Sequence, residues 1–290
     1  VNKKVAFIIN PISGAKDKAK LPDIINSTAI EKNVQVDIFH TARPNHASEL
    51  VRELVANSYS RIVAVGGDGT INEIARELVG KDVELAIIPQ GSGNGLARHL
   101  GIPLAVQKAV NVALCNSSEL IDTATINNVP FFCTAGVGFD ALIGNRFAES
   151  GSRGFSTYAT IATKEFLNYK SKEYSITIDG IVYNRSAFLI TIANASQYGN
   201  NAYIAPQADL QDGILDVVIV AKPPLIFGPL FAARMFLKKI ETSQYVEVLK
   251  GKSIKIKRNE EDYVHFDGEP GKMGKELKLS ILPSSLRVVF

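Results

Sequence analysis

The chain has 290 residues, 46% of them hydrophobic and 21% charged, with a formal net charge of +3. That balance fits a globular protein with a sizeable core in one or two domains, and it gives electrostatics no basis for a nucleic-acid partner. Two cysteines, Cys115 and Cys133, sit in apolar contexts and read as reduced core residues of a cytoplasmic protein.

Val1-Asn2-Lys3-Lys4 runs straight into an apolar stretch, so no cleavable leader is expected. Over residues 1–122, short apolar runs alternate with amphipathic ones. Strands are predicted at 5–9, 34–39, 62–65 and 85–88, and helices at 18–31, 45–56, 71–78 and 104–114. Buried strands alternating with helices predict a doubly wound, mostly parallel α/β sheet. From 123 onward the pattern changes. Strand-like runs fall at 131–134, 174–178, 181–193, 215–220, 253–257, 263–266 and 275–282, with Asp179-Gly180 as a hairpin turn. This predicts a second domain, 123–282, built mainly as an antiparallel β-sandwich.

No apolar run reaches the roughly 18 residues that a membrane-spanning helix needs. The most apolar stretch, 224–240, is interrupted by Arg234 and closed by Lys238-Lys239. It reads either as a helix on the protein's own core or as an apolar face flanked by cations at a membrane surface.

Chemistry concentrates where strands end. Ile62-Val63-Ala64-Val65 is followed by Gly66-Gly67-Asp68-Gly69-Thr70, whose bare main-chain amides suit a polyanion. Asp68 would repel phosphate unless a divalent cation or a transferable proton accompanied it, which points to phosphoryl transfer. Two further strand ends carry turns of small residues, Asn10-Pro11-Ile12-Ser13-Gly14 and Pro89-Gln90-Gly91-Ser92-Gly93-Asn94-Gly95. In an open α/β sheet such loops converge at the carboxyl ends of the strands. Neither a Walker-type G-x-x-x-x-G-K-[ST] loop nor a protein-kinase H-R-D set is present. The histidines His40, His46, His99 and His265 show no zinc spacing.

These motifs resemble the diacylglycerol kinase catalytic-domain superfamily, which includes bacterial lipid kinases and sphingosine kinases. The resemblance continues through Gly136-Val137-Gly138-Phe139-Asp140-Ala141, Asp212-Gly213-Ile214-Leu215-Asp216 and Phe266-Asp267-Gly268-Glu269, in order along nearly the whole chain. It implies a nucleotide in the cleft between the two domains, with residues 283–290 returning to the first. ATP would be the co-substrate, with Asn10, Ser13, Gly14, Thr41, Gly66, Gly67, Asp68, Gly69, Thr70, Asn72, Gly91, Ser92 and Asn94 around it. Thr41 could equally be a helix cap, and the plain alternative for Ser92 and Asn94 is N-capping of the next helix. The proton acceptor is implied at Glu269 or Asp68, with Asp267 ranked behind them. Asp267-Gly268-Glu269 taken alone is an ordinary turn.

A structural Mg²⁺ is implied at Asp209, Asp212 and the Ile214 carbonyl, where a solvated turn is the plain alternative. Asp140 matches a headgroup-binding acid, and an exposed loop carboxylate reads nearly as well. Gly91-Ser92-Gly93-Asn94 looks more like the sphingosine-type version of its loop, which leaves the acceptor lipid open. The expectation is an ATP- and Mg²⁺-dependent kinase of a membrane lipid, acting as a peripheral protein at the membrane surface. A homodimer stays open. NAD kinase and a non-catalytic nucleotide- or lipid-binding sensor are the alternatives.

Overall fold

A computed structural model describes residues 4–14, 19–151 and 155–290. The run-in at 1–3 and the first predicted helical residue, Lys18, lie outside the described residues. The chain divides into two compact units, Val1–Thr123 with Pro283–Phe290, and Ala124–Leu282.

The first unit contains β1 (Lys4–Ile9), α1 (Leu21–Lys32), β2 (Gln35–His40), α2 (His46–Ala56), β3 (Arg61–Gly66), α3 (Asp68–Leu78), β4 (Glu84–Pro89), α4 (Gly95–His99) and α5 (Val106–Cys115). β5 (Ser118–Ile126) leads out of it. The strands lie in the order β2-β1-β3-β4, all parallel, and residues 287–289 add a parallel pairing on β4. Alternate strand residues face opposite ways. Phe7, Ile9, Val63, Val65, Ala86 and Ile88 therefore form one apolar face, covered by Leu21 and Ile25 of α1 and Ala109 and Val110 of α5. Helices α2 and α3 pack on the opposite face.

Register decides where the loops emerge. Ile9 pairs with both His40 and Val65, and Gly66 pairs with Pro89, so four strands end at one level. The chain leaves β1 toward β2 on one side and returns as β3 on the other, which makes the β1–β3 boundary the switch point. At the opposite end of the sheet Arg61 is buried, its Nε donating to Glu84 at 2.7 Å and its other nitrogens to the Ala113 and Asn116 carbonyls.

The second unit comprises β6 (Val129–Phe131), β7 (Thr134–Gly138), α6 (Phe139–Glu149), α7 (Phe155–Asn168), β8 (Lys172–Ile178), β9 (Ile181–Ala187), β10 (Leu189–Ala193), β11 (Leu215–Val220), α8 (Gly228–Phe236), β12 (Val246–Gly251), β13 (Ser253–Arg258), β14 (Asp262–Phe266) and β15 (Glu269–Met273). The first half of β16 (Glu276–Val289) completes it. One sheet runs β12-β11-β10-β7-β14-β15, and the other joins β16, β13, β8 and β9, all antiparallel. Their facing residues, among them Phe131, Val137, Ile176, Ile190, Val217, Ile256 and Leu277, form one core. Phe139, Ile143, Phe188 and Val220 form a second cluster on the other face of the six-stranded sheet, beneath Phe166, Phe231 and Met235.

Several expectations are corrected. The helix predicted at 71–78 starts at Asp68, so Asp68, Gly69 and Thr70 are its first turn and not a loop before it. The strand predicted at 131–134 is broken between β6 and β7, because the amides of Phe132, Cys133 and Thr134 turn to a carboxylate from elsewhere, that of Asp267. The run 181–193 divides at Phe188, whose amide donates to Val220, sending β9 and β10 into different sheets. Pro283 does not end the last strand, which continues to Val289. Helices α6 and α7 were not legible from periodicity. Cys133 is buried as expected, but Cys115 is exposed: it follows the buried pair Ala113-Leu114 at the end of α5, where the helical period turns it outward.

The β14–β15 hairpin is held at its open end by Arg258. The buried guanidinium donates to the carbonyls of Asp262, Tyr263, Met273 and Gly274, and burial lowers its pKa. Replacing Arg258 with Met leaves those carbonyls short of donors and should cost about 3 kcal/mol, read as a lower urea midpoint. Tyr59 donates to Asp37 at 2.7 Å, and that bond raises the phenol to about 12; burial raises Tyr169 and Tyr174 as well. The folded state thus holds phenolic protons that the unfolded chain releases near pH 10. Stability from these groups is intact below that pH and should fall as pH rises through their folded values, which a phenolate absorbance titration of native against unfolded protein checks.

Candidate active site

Three strand ends of the first unit meet through main-chain contacts. Gly67 and Gly91 pack backbone against backbone: a Cβ on Gly91 would lie 2.6 Å from the Gly67 Cα. Gly14 has φ +71°, and a Cβ there would lie against the Gln90 carbonyl oxygen at 2.0 Å. These glycines first allow the loops to pack on one another; exposure of amides is a second consequence.

Asp68 ties the second loop to the first. Its Oδ2 accepts from the Asn94 amide at 2.9 Å and its Oδ1 from the Gly95 amide at 2.8 Å. It thereby caps α4 from another helix. The Asn94 side chain folds back instead, accepting from Gly91 N and donating to Gly91 O. Arg98 Nε donates to the Gly93 carbonyl. Ser92 is exposed, so neither Ser92 nor Asn94 caps α4 with its side chain.

At the switch point Asn10 Nδ2 donates to Thr70 Oγ1 at 2.8 Å, and Asn10 Oδ1 accepts from Ile12 N. Ser13 N and Oγ both donate to the Asn10 carbonyl. Gly66 ends β3, its carbonyl accepting from Gln90 N. Thr41 follows β2, its amide donating to Ile9 O, and Asn45 is the residue at the start of α2, so Thr41 is not a cap there. Asn72 is buried within α3.

The first amide bonded within α3 is that of Ile71, to the Gly67 carbonyl. The amides of Asp68, Gly69 and Thr70 have no acceptor inside the helix, and the helix dipole adds partial positive charge there. Nothing lies within 4 Å of the position a Gly69 Cβ would take. This open, amide-lined helix start, bordered by Asn10 and the Gly91–Asn94 loop, suits an anionic group.

In the second unit, Asp267 and Gly268 both have positive φ and form the tight turn between β14 and β15. The Asp267 carboxylate accepts from three consecutive amides, Phe132, Cys133 and Thr134, at 2.7–3.0 Å. It anchors the turn. Glu269, half-buried, opens β15 from that anchored turn.

Asp140 is not an exposed loop carboxylate. It lies buried in the first turn of α6, where Oδ2 accepts from Thr191 Oγ1 and Tyr198 Oη at 3.1 Å and stands 2.9 Å from His265 Nε2. Gly136, opposite His265 across the strands, leaves room for this pair. His265, Thr191 and Tyr198 were missed as partners of Asp140; only the pairing of β7, β10 and β14 reveals them.

At the expected cation loop, Asp209 Oδ1 accepts from Gln211 N and Asp212 Oδ1 from Ile214 N, both acids being exposed. Among the described residues no three His, Cys, Asp or Glu side chains cluster to hold a metal, so a cation here would need main-chain carbonyls too. Behind the loop Asp216 is 1% exposed, pushed up by burial, with Lys250 Nζ 3.3 Å from Oδ1 and neither oxygen in a well-formed hydrogen bond. Oxygen donors in a loop backed by a buried carboxylate fit a hard divalent ion.

Comparison with known proteins agrees across the chain. Residues 4–126 match the family model of the diacylglycerol kinase catalytic domain, and 133–290 match that of the YegS C-terminal NAD kinase beta sandwich-like domain. A Pseudomonas aeruginosa protein named "Probable lipid kinase YegS-like" is 30% identical, over 83% of this chain and 80% of its own. An uncharacterized Synechocystis protein is 28% identical over 97% of this chain and 69% of its own. The crystal structure of a diacylglycerol kinase from Bacillus anthracis shares the fold at a TM-score of 0.79 and 24% identity, covering 99% of this chain and 97% of its own. Loops, turns and matches together place the chain in the diacylglycerol kinase catalytic-domain superfamily, among the YegS-like lipid kinases.

Proposed function

We propose that the chain transfers the γ-phosphoryl group of ATP, with Mg²⁺, to a hydroxyl group of a membrane lipid. The observation that carries this reading is the start of α3, where three main-chain amides have no acceptor within the helix and exposed Gly69 stands uncrowded. The triphosphate would lie on these amides, with Asn10, Ser13, Gly14, Thr41, Gly66, Gly67, Thr70, Gly91, Ser92 and Asn94 shaping the surroundings. Because Asn72 is buried, it acts through the packing of α3. Asp209, Asp212 and the Ile214 carbonyl would hold Mg²⁺, which when bound supplies positive charge that organises the site.

In the transfer, the lipid hydroxyl oxygen bonds to the γ-phosphorus as the bond to the bridging oxygen breaks, and ADP leaves. The hydroxyl proton passes to a carboxylate. Glu269 and Asp68 are the acceptors that the family resemblance supports, with Asp267 behind them because its carboxylate anchors the turn through three amides. The transition state is loose, so alignment and charge outweigh base strength. Asp140, tied to His265, would position the headgroup. The enzyme would work from the cytoplasmic side as a peripheral protein.

A radiolabelled-ATP assay across diacylglycerol, sphingoid bases and ceramide-like lipids in mixed micelles, with NAD offered separately, tests the reading. Phosphorylated NAD with no phosphorylated lipid would favour the NAD kinase alternative, and tight ATP binding without turnover would favour a sensor. Glu269→Gln should lower kcat about 100-fold or more with little change in the KM for ATP. Asp267→Ala should instead lower stability by roughly 3 kcal/mol for three lost charge-assisted bonds, read as a lower urea midpoint. Gly69→Ala separates folding from binding. With no clash it should leave stability equal or up to about 1 kcal/mol higher, while nucleotide affinity by calorimetry falls about 10-fold.

A further inference from the structure

The segment from Leu225 through α8 to Lys239 is apolar, yet neither its opening 3₁₀ turn (Leu225–Phe227) nor α8 contains a single buried residue. Phe231 and Met235 pack partly on the cluster beneath. The opposite side faces solvent: Ile226 is 82% exposed, Leu237 65%, Leu225 53% and Leu230 48%. A cavity of about 270 Å³ separates α8 from residues 242–245, with Arg234 in its wall. No helix among the described residues is long and apolar enough to cross a membrane, so this face is not part of a span.

Charge specifies the occupant. Residues 221–240 contain Lys222, Arg234, Lys238 and Lys239 and no Asp or Glu. Lys222 turns inward, donating to the Tyr169 carbonyl. Lys238 and Lys239 are exposed and adjoin Leu237. Apolar side chains of this size, followed by Lys238 and Lys239 and only then by Glu241, match a bilayer interface that accepts them among its acyl chains and presents anionic headgroups at the rim. We infer that the 225–239 face is the docking surface for an anionic lipid bilayer, with Leu225, Ile226, Leu230 and Leu237 entering the interface and Lys238 and Lys239 pairing with headgroups.

This inference rests on the lipid-kinase reading only in that such a substrate resides in a membrane. The test is flotation of the full chain with phosphatidylcholine vesicles made with and without phosphatidylglycerol. The protein should float with the anionic vesicles and lose them at high salt. Lys238→Gln with Lys239→Gln should weaken binding about 30-fold, and Ile226→Ser with Leu237→Ser about 100-fold. Urea midpoints should change little, because these side chains are exposed and Lys238 gives up only a cation–π contact with Tyr203. Turnover of a short-chain, monomeric acceptor without vesicles should also be unchanged in both variants. Equal binding to neutral vesicles, or variants that float like the parent, would overturn the docking surface. So would a dimer in sedimentation equilibrium that the serine variant dissociates, with no vesicle binding by the parent, since a second copy would then be the occupant. Docking that behaves as described in a protein that phosphorylates no lipid would retain this surface and sink the kinase reading.

Discussion

Two amides at the start of α4, those of Asn94 and Gly95, donate to one carboxylate at the start of α3. Much of the first unit's arrangement follows from that exchange. A charge-assisted bond of this kind contributes roughly 1.5–3 kcal/mol, and here a pair of them acts across two loops that have almost no side chains. With Asp68 in place, Gly67 and Gly91 can lie backbone on backbone, Asn94 closes its own turn, and Arg98 holds the Gly93 carbonyl. The outcome is a helix start whose first amides have no acceptor within the helix, beside a carboxylate engaged with the next loop.

The second unit repeats this logic with different groups. Asp267 gathers three consecutive amides, while Arg258 donates to four carbonyls at the other end of the same hairpin. A two-stranded ribbon is marginal by itself. Anchored at both ends and paired to β7, it presents Glu269 from a defined backbone. Asp140 likewise joins α6 to β10 and β14 through Thr191 and His265. Acids that stand out in a motif can therefore build the frame of a site.

Much of the site was legible because loop chemistry is local. A strand ending in Gly66-Gly67-Asp68-Gly69-Thr70 needs no distant information to be read as a glycine-rich turn into a helix, and the Asp179-Gly180 and Asp267-Gly268 pairs announce tight turns directly. β1, β3 and β4 were found to within a residue because each is a nearly continuous buried run, β2 was found to within a residue although it is only half-buried, and β5 was not found. The break at Phe132-Cys133, the division at Phe188 and the inward turn of Asp140 were not legible. Each depends on a partner more than 30 residues away: Asp267, Val220 and His265.

The sequence by itself determined the two-part plan, the parallel order of strand and helix in the first part, the strand-rich second part and the family, because periodicity and turn chemistry are properties of neighbouring residues. Tertiary structure alone decided which acids are occupied by main-chain amides, which face of α8 stays uncovered, and that Cys115 lies outside. Those outcomes depend on what each group meets after distant strands have paired, and hydrogen-bond satisfaction and burial exist only once that partner has arrived.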